Sequence, residues 1–104
     1  MLLLKKVKIT VMRITRYEDL SKKYESPIEN ACCMDEGKNF LCESEEMPAG
    51  MCKSAWETLL PFVKDLLAGK GHFYGDWMKN PYSAMVSCND GFRPVTFYLE
   101  LAED

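Results

Sequence analysis

The chain has 104 residues, of which 47% are apolar and 28% charged. That is enough for one domain with a packed core, too short for two, and too apolar for a disordered chain. A formal charge of −3 weighs against a general nucleic-acid binder, and no apolar run approaches the ~20 residues of a membrane helix.

The chain order begins with a strand. From Lys5 to Ile14, Val7, Ile9 and Val11 alternate with Lys6, Lys8 and Thr10, the period of a half-buried strand. Thr15 and Glu18 stand at a capping-box spacing that starts a helical turn. Tyr17, Leu20 and Tyr24 continue that turn on one face, and Ser26-Pro27 ends it. Residues 27 to 36 read as loop with Cys32-Cys33 inside, Gly37 as a turn, and Lys38 to Cys42 as a short strand. Glu43, Glu45 and Glu46 form a solvated polar connection.

The strongest periodicity follows. Cys52, Ala55, Trp56, Leu59, Leu60, Val63, Leu66 and Leu67 recur at helical spacing, which predicts an amphipathic helix over 51–68. Pro48 suits its first turn and Gly69 its stop. The glycine-punctuated segment 69–75 lacks the spacing of a phosphate loop. Ser83 to Cys88 and Val95 to Leu101 read as two strands joined through Asn89-Asp90-Gly91, a hairpin signal. Val95, Phe97, Leu99 and Leu101 form the inward face of the second, and Pro94 belongs at its start or on an edge. The expected architecture is a single α+β domain over 1–104. An antiparallel sheet of about four strands carries the long helix on one face, because neither apolar surface can stay in water.

Met1 to Leu4 is too short for a signal-peptide core, and its charges follow it. The expected location is therefore cytoplasmic, and the five cysteines are expected to be reduced. Charge is uneven along the chain: residues 1–24 balance to +5 and residues 25–50 to −6. Solvated surfaces explain this, and so does a homodimer in which the basic patch of one copy meets the acidic patch of another.

Three stretches carry a resemblance. Lys6-Val7-Lys8-Ile9-Thr10-Val11, Pro48-Ala49-Gly50-Met51-Cys52-Lys53-Ser54-Ala55-Trp56 and Cys88-Asn89-Asp90-Gly91-Phe92-Arg93-Pro94-Val95-Thr96-Phe97 resemble a family of small prokaryotic proteins of about this length. Its pattern is P-x-G-x-C-x-x-A-W followed by C-x-D-G-x-R-P-V-x-F, with a Cys-Pro before an E-G turn. Here Cys33 and Glu36-Gly37 are kept, and Met34 stands where the proline usually does. The family carries no assigned activity. The resemblance implies only that Cys33, Cys52 and Cys88 are the cysteines to watch.

The residues themselves point to the same three. Cys52 lies near the start of the long helix, where unpaired amides and the helix dipole favour a thiolate. The plain alternative is a small buried hydrophobe. With Cys88 and Cys33 converging there and His72 as a fourth ligand, a Cys3His set would suit zinc or another soft metal. A Cys52–His72 nucleophile and base lacks an obvious third group. The planar fork of Arg93 suits a carboxylate, internal or on a ligand. Two function classes follow. One is a binding module whose site, built from Cys33, Cys52, Cys88 and Arg93, takes a small molecule or metal. The other is a structural or oligomeric protein whose cysteines are core residues, and an enzyme using Cys52 comes third.

Overall fold

The computed structural model describes residues 5–26 and 34–103. It is an α+β domain with a four-stranded antiparallel sheet and one main helix. In chain order the elements are β1 (Lys5–Ile14), α1 (Glu18–Tyr24), β2 (Asn39–Cys42), α2 (Lys53–Leu67), β3 (Ser83–Ser87) and β4 (Val95–Glu103). A short 3-10 turn at Phe73–Gly75 lies between α2 and β3. The strands lie in the order β2-β1-β4-β3, so the first and last strands form the centre.

Side-chain alternation explains the layer. Val7, Ile9 and Val11 of β1 are fully buried, and their partners Leu99 and Phe97 on β4 are too. Phe40 and Cys42 extend this face across β2, and Ala84 and Val86 across β3. Ala55, Trp56, Leu59, Val63 and Leu66 of α2 close the core from above. Met34 and Met51 fill its β2 side. The opposite face of the sheet carries Leu41, Lys8, Glu100, Thr10, Tyr98 and Met85 across neighbouring strands, with Leu41 and Met85 exposed. No helix among the described residues is long and apolar enough to cross a membrane.

The element ends show where local signals were overruled. The amide of Thr15 donates to the Pro94 carbonyl and that of Tyr17 to the Phe92 carbonyl, so the chain stays extended past the end of β1. α1 consequently starts at Glu18 with Tyr17 as N-cap, and no side chain caps it. The Thr15–Glu18 capping box is not formed. α2 begins at Lys53, and Pro48 lies before it in a turn: the Met51 amide donates to the Pro48 carbonyl and Gly50 takes φ +84°. That positive φ at the third residue is the glycine position of a type II turn. The C-terminus of α2 follows its prediction. Gly69 is left-handed, its amide donates to Leu66 and that of Lys70 to Asp65, the Schellman pattern.

The β3–β4 hairpin is present, but Asn89-Asp90-Gly91 is not its tight turn. The Cys88 amide pairs with the Val95 carbonyl, leaving a longer connection between them. Asp90 shapes it by accepting the amides of Phe92 and Arg93 at 2.8 and 3.0 Å. Part of the charge asymmetry is answered within the chain. Lys6 reaches Glu43 at 3.3 Å and Lys64 reaches Glu45 at 3.6 Å.

Candidate functional site

The start of α2 holds Cys52 as its N-cap, in an extended conformation (φ −70°, ψ 131°). Its carbonyl accepts the first helical bond, from the Trp56 amide at 2.9 Å, and its Sγ lies 3.5 Å from Ser54 Oγ. No acidic side chain occupies the first turn of α2. Cys52 is half-buried, packed against the edge of the core.

Cys88 ends β3. Its amide donates to the Val95 carbonyl at 3.0 Å, and its Sγ accepts the Val95 amide at 3.3 Å. The thiol thus serves where a strand carbonyl would continue the ladder, which explains why a cysteine fits the last position before the connection. Cys42 contrasts with both. It is inside the core, and burial pushes its thiol up to about 11. It stays protonated and unreactive at neutral pH.

Cys52 and Cys88 lie toward the same end of the strands but on different sides of the sheet: the chain just before α2 lies over β2, where a Cβ at Gly50 would meet Lys38 Nζ at 3.2 Å, and Cys88 ends β3, the opposite edge strand. Gly69, after α2, lies against Lys5 at the start of β1, where a Cβ would meet Lys5 Nζ at 2.6 Å. The N-terminus of α2 therefore points toward the far end of β1. Antiparallel pairing brings Val95 of β4 to Ile14 there, and Ser87 of β3 to Thr96. Cys33 lies outside the described residues, as does Cys32. Met34, its neighbour in the chain, is buried in the core.

His72 does not join them. It follows α2, whose 15 residues span ~22 Å from the Cys52 end. Its amide donates to the Pro81 carbonyl at 2.7 Å, and its ring lies 5.8 Å from that of Tyr82. From Tyr82 the length of β3, ~20 Å, runs to Cys88. The Cys3His set is therefore corrected: the imidazole sits at the opposite end of the sheet, paired with Asp76 at 2.5 Å. The Cys52–His72 pair fails for the same reason. Among the described residues, no group of three or more His, Cys, Asp or Glu is gathered to hold a metal ion.

The loop around His72 is unusual in its own right. His72, Tyr74 and Asp76 all take positive φ, of 59°, 56° and 69°. Phe62 packs on Phe73 and Tyr74, and the Tyr74 hydroxyl donates to the Met85 carbonyl at 3.1 Å, which holds the loop in place. Trp77 projects from it 81% exposed, whereas Trp56 is a core residue.

Arg93 finds its carboxylate inside the chain. Nη1 and Nη2 donate to the two oxygens of Glu25 at 2.8 and 2.7 Å, across 68 positions of sequence. Both side chains are largely buried, 15% and 16% exposed, and Asp90 stands 3.6 Å from the same guanidinium. The hydrogen bonds from Arg93, and then its charge, hold the Glu25 carboxyl below its usual range against the opposing effect of desolvation; a Ser21 hydrogen bond adds to this. The pair is therefore charged throughout the neutral range. Of the two partners open to its planar fork, an internal carboxylate and one on a ligand, the fold forms the internal one. Glu25 gave no sequence signal as the partner, because its position after α1 becomes close to Arg93 only through β1–β4 pairing. Beside the pair lies a cavity of about 340 Å³ lined by Arg16, Glu18, Ser21, Lys22 and Arg93.

Compared with known proteins, the chain matches no family model, no curated protein and no solved structure.

Proposed function

We propose that this chain is a small cytoplasmic binding module with a thiol-lined site at the N-terminal end of α2, taking a soft metal ion such as zinc or a small electrophilic ligand. The observation that carries the reading is Cys52 as the half-buried N-cap of α2, where the unpaired amides of the first turn favour a thiolate. Cys88 supports it from the end of β3, and Cys33 is proposed as the third sulfur. The test combines metal content of the purified protein with residue-resolved alkylation by iodoacetamide after chelator treatment. Cys52 is expected to react at least roughly tenfold faster than Cys42. Cys52→Ser is expected to remove the fast phase and the bound metal while leaving the melting temperature nearly unchanged. A lowered melting temperature with unchanged alkylation and metal content would mean that the cysteines only pack, since a hydroxyl without a partner is costly to bury.

A second reading, a structural or oligomeric interaction protein, is favoured by the face of the sheet away from α2. Leu41, Tyr98 and Met85 lie there with Lys8 and Glu100 side by side, a surface of both signs that a second copy complements. This reading predicts a homodimer at micromolar concentration in low salt that dissociates as ionic strength rises. Sedimentation of a monomer in low salt would end it.

A further inference from the structure

α1 adjoins the β3–β4 connection by a polar face. Glu18, Ser21, Lys22 and Glu25 follow one another at i, i+3, i+4 and i+7, the spacing of one helix face. The first three line the cavity with Arg16 and Arg93, and the fourth grips Arg93 itself. The apolar stripe is turned away: Tyr17, Leu20 and Tyr24 are 43%, 40% and 66% exposed. The helix buries none of its seven residues. A helix this short is marginal alone and ordinarily docks by an apolar face. This one is held against the β3–β4 connection by charge.

Among the described residues, Arg16, Lys22 and Arg93 line the cavity with Glu18, and Glu25 and Asp90 already meet the Arg93 guanidinium. Arg16 and Lys22 form no ion pair with another described residue. The Arg93 fork matches two oxygens of a carboxylate or of a phosphoryl group equally well, and Glu25 demonstrates the fit.

We propose that this cavity is a binding site for a small phosphate monoester, with Glu25 as its built-in competitor. The phosphoryl group takes the place of the Glu25 carboxylate on Arg93 and engages Arg16 and Lys22 with its remaining oxygen and charge. The competition selects the ligand class. A carboxylate tethered in the same chain acts at high effective concentration, so an outside monocarboxylate gains nothing by exchange. A phosphate monoester carries a charge of about −2 near neutral pH and three acceptor oxygens, so it makes contacts that Glu25 cannot. The volume of about 340 Å³ lies in the lower range of small-ligand sites, enough for the phosphoryl group and a compact organic part.

The test is isothermal titration of the full chain with phenyl phosphate and with benzoate, which share a ring and differ in the anion. Phenyl phosphate is expected to bind at least tenfold more tightly. The double variant Arg16→Ala/Lys22→Ala removes two exposed side chains and is expected to weaken phenyl phosphate at least tenfold. Glu25→Gln is expected to tighten it at least fivefold, provided circular dichroism shows the fold kept. If that variant does not fold, the double variant and the wild-type comparison decide the matter alone. Equal binding of the two anions, or a double variant with unchanged affinity, would overturn the proposal. Cys52→Ser is expected to leave phenyl phosphate affinity untouched, so failure here and failure of the thiol site are separate results.

Discussion

Leu59→Ala is expected to destabilise the fold by about 2–5 kcal/mol and to lower the melting temperature by roughly 10 °C or more. Leu59 lies at the middle of α2, has no exposed surface and belongs to the core formed with the sheet. Truncation removes apolar contacts and leaves a cavity that a sheet clamped by two central strands cannot collapse around. Alanine is the better helix former, so any loss of stability comes from packing and not from the helix itself. Glu57→Ala, two positions earlier on the exposed side of α2, is the control and is expected to change stability by no more than ~0.5 kcal/mol. Urea denaturation of both variants makes the comparison. Equal, small effects would mean that α2 does not seal the core.

Gly71→Ala is expected to cost about 2–4 kcal/mol, the sum of overpacking and a lost backbone hydrogen bond. A Cβ at Gly71 would run into the Pro81 carbonyl oxygen and come within 2.7 Å of Tyr82 Cδ1. That carbonyl is held by the His72 amide at 2.7 Å, and the Tyr82 carbonyl by the Leu101 amide at 3.0 Å. The obstacle is therefore backbone tied into the start of β3, which cannot swing aside as a side chain can. Gly75→Ala separates this from mere conformational preference: Gly75 has φ +63° but open space around its Cβ position. Its substitution carries only the left-handed penalty, ~1–2 kcal/mol. Amide exchange at His72 reports the lost bond. A Gly71→Ala protein as stable as Gly75→Ala, with the His72 amide still protected, would show that the 81–82 segment yields.

These two positions differ in how they announce themselves. Leu59 belongs to a repeat of eight apolar residues at helical spacing, and the repeat states which face is buried before any coordinates exist. The same holds for Val7, Ile9 and Val11 in β1 and for Val95, Phe97 and Leu99 in β4. Gly71 belongs to no repeat. Its constraint comes from Pro81 and Tyr82, ten and eleven positions on, and exists only after the loop has folded back.

α1 shows a local pattern giving the opposite of the observed arrangement. Tyr17, Leu20 and Tyr24 are spaced as a buried stripe and stay 43%, 40% and 66% exposed. The Glu25–Arg93 pair and the extended pairing of Thr15 and Tyr17 with the β3–β4 connection decide which side faces the body. For a helix of two turns, the apolar area available for burial is small enough that a largely buried ion pair and two backbone bonds set its orientation.

The candidate site divides along the same line. The start of α2 was legible, because a helix N-terminus is a local feature that capping and periodicity locate to within a residue or two. Cys52 proved to be the N-cap itself. The distances between Cys52, Cys88 and His72 were not legible. Nineteen intervening residues separate Cys52 from His72, and a flexible loop of that length would let the two meet. Most of them form α2, which rises 1.5 Å per residue and turns sequence separation into a fixed length of ~22 Å. Residue type and periodicity by themselves determine which segments become strands and helix and which faces are apolar, since these depend on neighbours a few positions away. Which distant residues meet, Glu25 with Arg93 and not His72 with Cys52, is decided by strand order and by the rigid length of α2.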